Sequence, residues 1–526
     1  MSQARAGVVR AAGLLMLTMV VSRILGYVRD VVIYTRFGQN SLTDAYNAAF
    51  SIPDFLYILL VGGALSSAFI PVFSQYIATN KSDEGWRVVS ILFNTIITLM
   101  LVGITLGLIF TPQLVYLLVP KFSPEAMELT VKLTRIMFAQ AFFMALNGIS
   151  MGILNSYKHF TSPALGSVLY NLVIIVVGLI LSFRWGIMGF SIGVVVGAMV
   201  NFAVQIPALL RVGWHYEWCF DLSHPGVRRI IELMLPVLIG LSVTQFNLFV
   251  SQNLASGLPE GMISALRIAQ RLMQVPLGVF GVAIAVAVFP TLCEQAARSK
   301  KADFMRTMSL GLRTVVFITL PAAVGLIALR VPIIQALFEQ GNFDYHNTLA
   351  TAEALLFYSI GLFGYSAIQI LNRVFYSIQD TRTPVTTGVI TILLNIALSF
   401  LLIQYLGHGG LALAYSIAGI FNMVALLGVL KWKLGKIGGH QIMSSFLHTL
   451  IAAVAMGLVV SFTVSGLQPL LPFLPKINQI ILVLVGVSTG VLVYGGLSLA
   501  MRMEEPQLVL KLIRRRFSRR LGVGTD

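Results

Sequence analysis

Charged residues are scarce in this chain. Only 11% of its 526 residues are Asp, Glu, Lys or Arg, whereas about 25% of an ordinary soluble domain is charged. Hydrophobic residues make up 57% of the sequence. A surface that faces only water needs more charge than this. The composition therefore excludes a soluble globular protein and indicates a chain that crosses a membrane many times.

Cysteine is also scarce. The two cysteines, Cys219 and Cys293, both fall on the side that we predict to be cytoplasmic, and they imply no disulfide framework. The seven histidines are scattered, and no group of His, Cys and carboxylates has the spacing of metal ligands. The sequence also has no Ser/His/Asp set, phosphate-cradling glycine loop or Asp-rich motif. It therefore predicts no enzyme, no cofactor and no metal site.

Long apolar stretches recur from one end of the chain to the other. A membrane-spanning helix needs about 20 predominantly apolar residues. We count fourteen such stretches, and no gap between them is long enough for a soluble domain. The first is too long and too charged for a cleaved signal peptide, so we interpret it as a retained span. The stretches lie near 8–35, 44–77, 88–112, 127–153, 163–183, 186–210, 230–254, 262–290, 307–329, 350–376, 384–405, 409–430, 443–465 and 477–501.

The net charge of +16 raises the question of nucleic-acid binding, and the placement of the charges argues against it. If the amino terminus is cytoplasmic, 23 of the 36 Lys and Arg residues lie on the cytoplasmic side, 5 on the opposite side and 8 within spans. This positive-inside bias predicts cytoplasmic N- and C-termini. The basic tail at 503–526 either contacts anionic lipid headgroups or acts only as a topology signal.

The chain contains an internal duplication. Five residues, Phe122, Pro163, Gly186, Gly189 and Asn201, recur 221 positions later as Phe343, Pro384, Gly407, Gly410 and Asn422. Gly62, Pro71 and Lys81 recur 219 positions later as Gly281, Pro290 and Lys300. A repeat of six spans gives two halves of the same orientation, related by a pseudo-two-fold axis along the membrane normal. We expect six-helix lobes at 1–221 and 222–436, two extra helices at 437–502 and a basic tail at 503–526.

Charges within the first span suggest a cavity that holds an anion. Arg23, Arg29 and Asp30 are costly in hydrocarbon, so they should face a wet or protein-lined space. A straight helix points the two arginines about 120° apart, and a kink at Gly26 would turn them to the same side. The alternative is a local ion pair between Arg29 and Asp30, with Arg23 extending to the interface. Asp44 is a further candidate cavity carboxylate, or an N-cap.

The eighth span carries a second pair of arginines. Arg267 and Arg271 are four residues apart and share one helix face, and neither has a carboxylate on the same turn. Guanidinium groups donate two parallel hydrogen bonds and suit a phosphate. Arginines from spans one and eight are thus candidates to clamp a pyrophosphate. The side-chain amides of the seventh span are either weaker candidates for the cavity or polar groups that pack between helices. They include Gln245, Asn247 and Gln252.

Several motifs resemble those of the MurJ lipid II flippases, within the multidrug/oligosaccharidyl-lipid/polysaccharide exporter superfamily. They are SRILGYVRD at 22–30, DAY at 44–46, GALSSAFIP at 63–71, RLMQVPLGV at 271–279 and QDTRTP at 379–384. The resemblance implies two lobes plus two helices that form a groove for a polyprenyl tail. It also implies a substrate of undecaprenyl-pyrophosphate carrying the peptidoglycan disaccharide-pentapeptide. The family's cavity residues match Arg23, Arg29, Arg271, Asp30 and Asp44.

The sequence departs from that family pattern in its second span. Many members carry arginine where this chain has Tyr57 and Ile58, and glutamate where it has Gly62. Some members have a cation-binding aspartate where this chain has Ser251, so the resemblance does not carry a sodium site with it. These departures leave open a related lipid-linked oligosaccharide flippase.

We therefore expect a lipid II flippase of the bacterial cytoplasmic membrane that works by alternating access. The alternatives are a flippase for another lipid-linked oligosaccharide or polysaccharide, and a cation-coupled drug antiporter, which should favour cavity carboxylates. Expected partners are the lipid-linked glycopeptide, membrane lipids and cell-wall synthesis proteins, but no nucleic acid. The sequence does not decide whether the membrane potential or a monovalent cation is coupled to transport.

Overall fold

The computed structural model describes residues 2–62, 64–435, 438–471 and 475–506. Every regular element within those ranges is a helix, which confirms the predicted all-α class. Most of the predicted basic tail lies outside the described residues. The helices are α1 (Ser2–Phe37), α2 (Ser41–Ala49), α3 (Ser51–Leu60), α4 (Ala64–Ala78), α5 (Ser82–Leu118), α6 (Pro124–Ser156), α7 (Thr161–Trp185), α8 (Met188–Ala203), α9 (Ile206–Arg211), α10 (Pro225–Ala255), α11 (Met262–Pro276), α12 (Ala283–Ala297), α13 (Lys301–Ala328), α14 (Arg330–Leu337), α15 (Tyr345–Ile360), α16 (Leu362–Ser377), α17 (Arg382–Leu434), α18 (Gly439–Leu467) and α19 (Pro475–Ala500).

The helices confirm a multi-pass membrane protein. Within the described ranges, nine helices are long and apolar enough to cross a membrane, or up to eleven if each of two bent pairs forms one span. The predicted number of fourteen is not confirmed. Part of the difference lies in α17, whose 53 residues would extend about 80 Å, far more than a bilayer core of about 30 Å. Its backbone leaves the helical conformation at Gly407, between the predicted spans at 384–405 and 409–430.

The predicted second span, near 44–77, is divided into three short helices. The helical conformation is interrupted at Phe50, between α2 and α3, and again after Leu60. Asn40 caps the start of α2, because its side-chain oxygen accepts from the backbone of Leu42 and Thr43. The predicted tenth span is bent as well: α15 and α16 meet at 41°, and Ser416 Oγ accepts from the backbone N–H of Gly361 at the break.

The described chain forms two compact units. Unit 1 falls within Met1–Ser264 and Gly341–Phe343, and unit 2 within Ala265–Gln340 and Asp344–Asp526. A core of unit 1 is built around Phe69, Phe73 and Trp86, which pack aromatic ring against aromatic ring. A core of unit 2 contains Phe304 and Phe375. The lobe boundaries at 221 and 436 stay a prediction.

Helix ends reproduce the duplication that the sequence indicates. The helix α6 ends at Ser156, and α16 ends 221 positions later, at Ser377. The helix α5 begins at Ser82, and α13 begins 219 positions later, at Lys301. These offsets equal those of the repeated residues. The repeated motifs therefore mark equivalent places in two similarly folded halves.

Unusual backbone conformations recur at the same offsets. Lys158 has φ 60° and Gln379 has φ 59°, although positive φ is uncommon for residues other than glycine. Gly186 adopts φ 56° and ψ −137°, and Gly407 adopts φ 53° and ψ −131°. Only glycine enters that region without steric cost. The pair Gly186 and Gly407 therefore forms the turn between two successive helices in each half.

Replacing Gly186 by alanine should lower stability through the backbone alone. A Cβ at this position meets nothing within 4 Å, so the positive φ is the source of the cost. We expect a loss of about 1–3 kcal/mol, measured as a lower melting temperature of the purified protein in detergent.

Gly388→Ala is the matched control for Gly186→Ala. Gly388 lies within α17, and its added Cβ also meets nothing within 4 Å. Alanine favours a helix interior over glycine by about 1 kcal/mol. Gly388→Ala should therefore melt at or above the wild-type temperature, and equal melting of both variants would contradict the interpretation.

Candidate substrate-binding residues

Arg29 lies in a polar contact between α1 and α7 of unit 1. Its Nη2 is 3.0 Å from Asp30 Oδ1, and its Nη1 donates to Asn171 Oδ1 at 3.2 Å. Both charged side chains are largely buried, with 14% and 13% of their surface exposed. The ion pair that the sequence offered as an alternative is therefore present. It offsets much of the cost of placing either charge in an apolar helix.

Arg23 lies nearly two helical turns before this pair and is exposed. The helix α1 is continuous through Gly26, so the chain is not unwound at that residue. Next to Arg23, Ser22 Oγ lies 2.6 Å from Ser167 Oγ, which joins α1 to α7. The two arginines of the first span thus differ: Arg29 is held by neighbours, and Arg23 projects from the helix.

Asp44 is buried inside unit 1, with 3% of its surface exposed. Its Oδ1 accepts from the backbone N–H of Ser264 at 2.8 Å and from Ser264 Oγ at 2.7 Å. Its Oδ2 accepts from the backbone N–H of Gly261 at 2.6 Å. The carboxylate therefore satisfies backbone donors at the start of α11, where negative charge is favourable. Asn40, and not Asp44, is the cap of α2.

The polar side chains of α10 have separate partners. Gln252 Oε1 accepts from Ser51 Oγ at 2.5 Å, and Asn253 Nδ2 donates to the carbonyl of Leu117 at 2.8 Å. Gln245 and Asn247 are partly exposed. The contacts of Gln252 and Asn253 join helices within unit 1, which fits the packing alternative. No ligand contact is needed to explain these two amides.

Arg267 and Arg271 lie on α11, four residues apart and both partly exposed. Gln270, between them, hydrogen-bonds Tyr415 in unit 2. The ring of Tyr415 stacks on Tyr365, with 4.4 Å between the ring centroids. The hydrogen bond of Gln270 therefore joins this part of α11 to the aromatic pair. After Pro276 the helix widens into a π-helical segment, Leu277–Val282, a form that often accompanies functional sites.

Arg313 has a structural contact that the sequence did not reveal. The side chain of Arg313 is only 13% exposed. It lies 2.9 Å from Glu504 and 2.7 Å from Glu505, and Ser445 also donates to Glu505. The residues surround a cavity of about 230 Å³ in unit 2. In the sequence, the signal for this contact was the pair of glutamates that follows the last apolar stretch.

The departures in the second span have a local structural basis. A Cβ added to Gly62 would lie 2.8 Å from the Cα of Ile58 and 2.9 Å from its carbonyl oxygen. Tyr57 packs against the core of unit 1. A larger residue at position 62 would therefore displace the end of α3. Among the described residues, no group of three His, Cys, Asp or Glu side chains is arranged to hold a metal ion.

The duplicated helical units and their intramembrane arginines define the class: a polytopic transporter built from two repeats. A family model described as "Lipid II flippase MurJ" matches residues 33–477. A lipid II flippase MurJ of Burkholderia cenocepacia is 30% identical over 448 residues, which cover 84% of this chain and 86% of that protein. A probable lipid II flippase MurJ of Vibrio cholerae is 33% identical over 417 residues, covering 77% and 79%.

Solved structures give the same result. A lipid II flippase MurJ in an inward closed conformation matches with a TM-score of 0.79 and 30% identity, over 93% of this chain and 99% of that chain. An inward-facing multidrug resistance transporter of the MATE family matches with a TM-score of 0.63 at 17% identity, covering 82% and 98%, which shows the shared fold alone. The chain belongs to the lipid II flippase MurJ family, a family of transporters and not of enzymes.

Asp44→Asn should destabilise the protein. The amide keeps one acceptor oxygen but turns an NH₂ group toward the N–H donors of Gly261 or Ser264. A buried donor left unsatisfied costs about 1–3 kcal/mol, so the melting temperature should fall. Asp83→Asn, at an exposed position in the first turn of α5, is the control and should melt like wild type. Unchanged melting of Asp44→Asn would refute the structural role.

Asp380 provides a pH-dependent test outside the spans. Partial burial raises the pKa of its carboxyl, but hydrogen bonds from Lys433 and Thr383 outweigh burial and lower the pKa from 3.8 to about 2. Lys433 Nζ lies 2.5 Å from the carboxylate. The pKa is depressed on folding, so the stabilisation is complete above pH 3.8 and is lost as the pH falls toward 2.

Asp380→Asn should therefore lower the melting temperature at neutral pH. The loss should be about 1 kcal/mol, because Lys433 is partly exposed and the pair is screened by solvent. Wild type and Asp380→Asn should converge as the pH falls below 3.8. A constant difference from pH 7 down to the lowest pH at which both proteins remain folded would contradict this assignment.

Proposed function

We propose that this protein moves lipid II, the polyprenyl-pyrophosphate-linked peptidoglycan precursor, from the inner to the outer leaflet of the bacterial cytoplasmic membrane. The match to the lipid II flippase MurJ family over residues 33–477 carries the proposal. The positive-inside distribution of Lys and Arg supports an orientation with both termini in the cytoplasm. Transport then proceeds by alternating access, which exposes the bound lipid to one side of the membrane at a time.

The pyrophosphate of the substrate is the group that needs protein contacts most. A phosphate anion removed from water is stable only if cationic or hydrogen-bonding groups replace its hydration. Arg267 and Arg271 are our proposed ligands, because both are partly exposed on one face of α11. A fork of guanidinium donors matches two phosphate oxygens at once. Tyr415 and Gln270 support this face of the helix.

The first span contributes two arginines with different proposed roles. Arg23 is exposed and is available to an anion. Arg29 is already hydrogen-bonded to Asp30 and Asn171, so it would bind phosphate only by exchanging or sharing those contacts. Such an exchange links substrate charge to the contact between α1 and α7. We therefore propose that Arg23 binds the phosphate directly. Arg29 binds it only when its present hydrogen bonds are exchanged or shared.

The carboxylates argue against a cation-coupled drug antiporter. Asp30 is paired with Arg29, and Asp44 accepts three hydrogen bonds from buried donors. Neither carboxylate offers an uncompensated negative charge to a cationic drug. The likeness to a MATE transporter supports the same fold and extends no further. The chemistry of these residues favours an anionic substrate.

Energy coupling and protein partners belong to the same proposal. The membrane potential acts on each translocated charge with about 2.3 kcal/mol per 100 mV, enough to bias one step of the cycle. A monovalent cation is the alternative source of coupling. Cell-wall synthesis proteins are the expected partners, because they consume the lipid that is delivered to the outer leaflet.

Replacing Arg271 by alanine should abolish function without preventing membrane insertion. Loss of a charge-assisted phosphate contact costs about 1.5–3 kcal/mol, which weakens binding about tenfold or more. The measurements are growth of a strain depleted of its own lipid II flippase, and binding of labelled lipid-linked precursor to the purified protein. Membrane levels of the variant should equal those of wild type.

Two further variants sharpen the test. Arg271→Lys keeps the charge but loses the fork of donors, so it should restore only part of the binding. Arg298→Ala removes an exposed arginine at the end of α12 and should behave as wild type. Full growth with Arg271→Ala would disprove the role assigned to Arg271. Failure of wild type to move labelled lipid II in vesicles would disprove the function itself.

A further inference from the structure

The segment between α9 and α10 carries an unusual run of large apolar side chains. From Trp214 to Leu222 every second residue is aromatic or aliphatic, and the intervening residues are mostly polar or charged. No regular helix forms over residues 214–220. Side chains alternate between two sides of an extended chain, so this pattern gives the segment one apolar side and one polar side. The apolar residues are Trp214, Tyr216, Trp218, Phe220 and Leu222.

The first half of the run is fixed on α5. Trp214 and Tyr216 both contact the ring of Phe93, with ring centroids 6.1 Å and 5.8 Å apart. Tyr216 Oη donates to Asn94 Oδ1 at 2.7 Å, and Asn94 Nδ2 donates to the carbonyl of Cys219 at 2.9 Å. The backbone of this extended segment is thus held by specific side chains of a spanning helix.

The second half of the run is exposed. Trp218, Phe220 and Leu222, which we call the apolar strip, have 78%, 53% and 55% of their surfaces accessible. The rings of Trp218 and Phe220 meet edge to face at 5.6 Å. Burying a large apolar side chain stabilises by about 1.5–3 kcal/mol. Three such side chains held side by side on a fixed backbone are therefore not expected to remain in water.

The contacts with α5 give the depth of the strip. Asn94 lies 12 residues after Ser82, the start of α5, or about 18 Å along the helix axis. The charged residues of this end of α5, Asp83 and Arg87 among them, come before it, and the uncharged, mostly apolar sequence of the helix begins at Val88. The strip is thus held beside the first turns of the apolar part of α5, where headgroups give way to hydrocarbon.

We propose that the apolar strip inserts into the membrane interface of the predicted cytoplasmic leaflet. Tryptophan is enriched at this level of the bilayer, where one part of its ring is apolar and its N–H remains wet. The polar side of the segment carries Glu217 and Asp221 and stays toward water. Lipid therefore covers the apolar strip, and the segment anchors the C-terminal end of α9, in unit 1, to the membrane surface.

The size of the strip favours lipid over a protein partner. Aromatic and large aliphatic side chains offer at most about 250 Å² each. With 78%, 53% and 55% of their surfaces accessible, the three together offer at most about 470 Å², less than the roughly 800 Å² that each partner contributes to a specific protein interface. Acidic and basic residues both occur near the segment, with Arg228 and Arg229 paired to Glu232. Insertion should therefore depend on the interface itself and not on anionic headgroups.

Tryptophan fluorescence in vesicles tests the proposal directly. The full chain would carry Trp185→Phe and Trp432→Phe, which removes the two other strongly exposed tryptophans. The same protein with the additional substitution Trp218→Phe gives the emission of the remaining tryptophans, which is subtracted to obtain the emission of Trp218. Vesicles would contain phosphatidylcholine brominated either near the headgroup or near the chain end. We expect Trp218 to be quenched about twofold more strongly by the shallow bromine, equally with and without added anionic lipid.

A second variant tests whether the strip acts as a unit. Replacing both Phe220 and Leu222 by serine should reduce the shallow quenching of Trp218 about twofold, because two of three anchoring side chains are lost. His215→Ala, on the exposed polar side, is the control and should leave the quenching unchanged. Absence of quenching by either lipid, or stronger quenching by the deep bromine, would overturn the proposal. The measurement needs no lipid II, so its outcome is independent of the transport proposal.

Discussion

A charge inside a membrane protein must be compensated by its neighbours, and this requirement organises the described structure. Arg29 lies against Asp30 and Asn171, and Arg313 lies against Glu504 and Glu505. The contacts of Arg29 with Asn171 and of Arg313 with the two glutamates also join segments that are distant in sequence. Removal of one partner would leave a buried charge uncompensated, which costs several kcal/mol. The same few ionic contacts therefore stabilise the fold and determine which charges remain available to a substrate.

The duplication gives this arrangement a regular framework. Both halves turn through the same backbone conformation at Gly186 and Gly407, and both end a helix at equivalent serines, Ser156 and Ser377. The proposed binding residues are not repeated in this way. The arginines of α1 and α11 lie in different sequence contexts, so the two halves share a scaffold but differ in the polar groups that they present. Such divergence within a common framework suits a substrate with chemically unlike parts.

The sequence predicts the scaffold better than the site. Apolar length, charge placement and repeated glycines suffice for an all-helical membrane protein with two related halves. The breaks in the second predicted span depend on tertiary packing, such as the contact that fixes Gly62 against Ile58, which no periodicity reveals. Asp44 illustrates the same limit: its partners at 261 and 264 are more than 200 positions away. A carboxylate in a motif does not by itself distinguish ligand binding from hydrogen bonding to backbone.

The crowded position at Gly62 links the identity of one residue to the backbone of the broken second span. A Cβ there overlaps the backbone of Ile58, so even alanine would require the end of α3 to shift. A side chain can therefore be introduced at position 62 only together with a change in the backbone that precedes it. The size of this residue and the place where α3 ends are thus determined jointly.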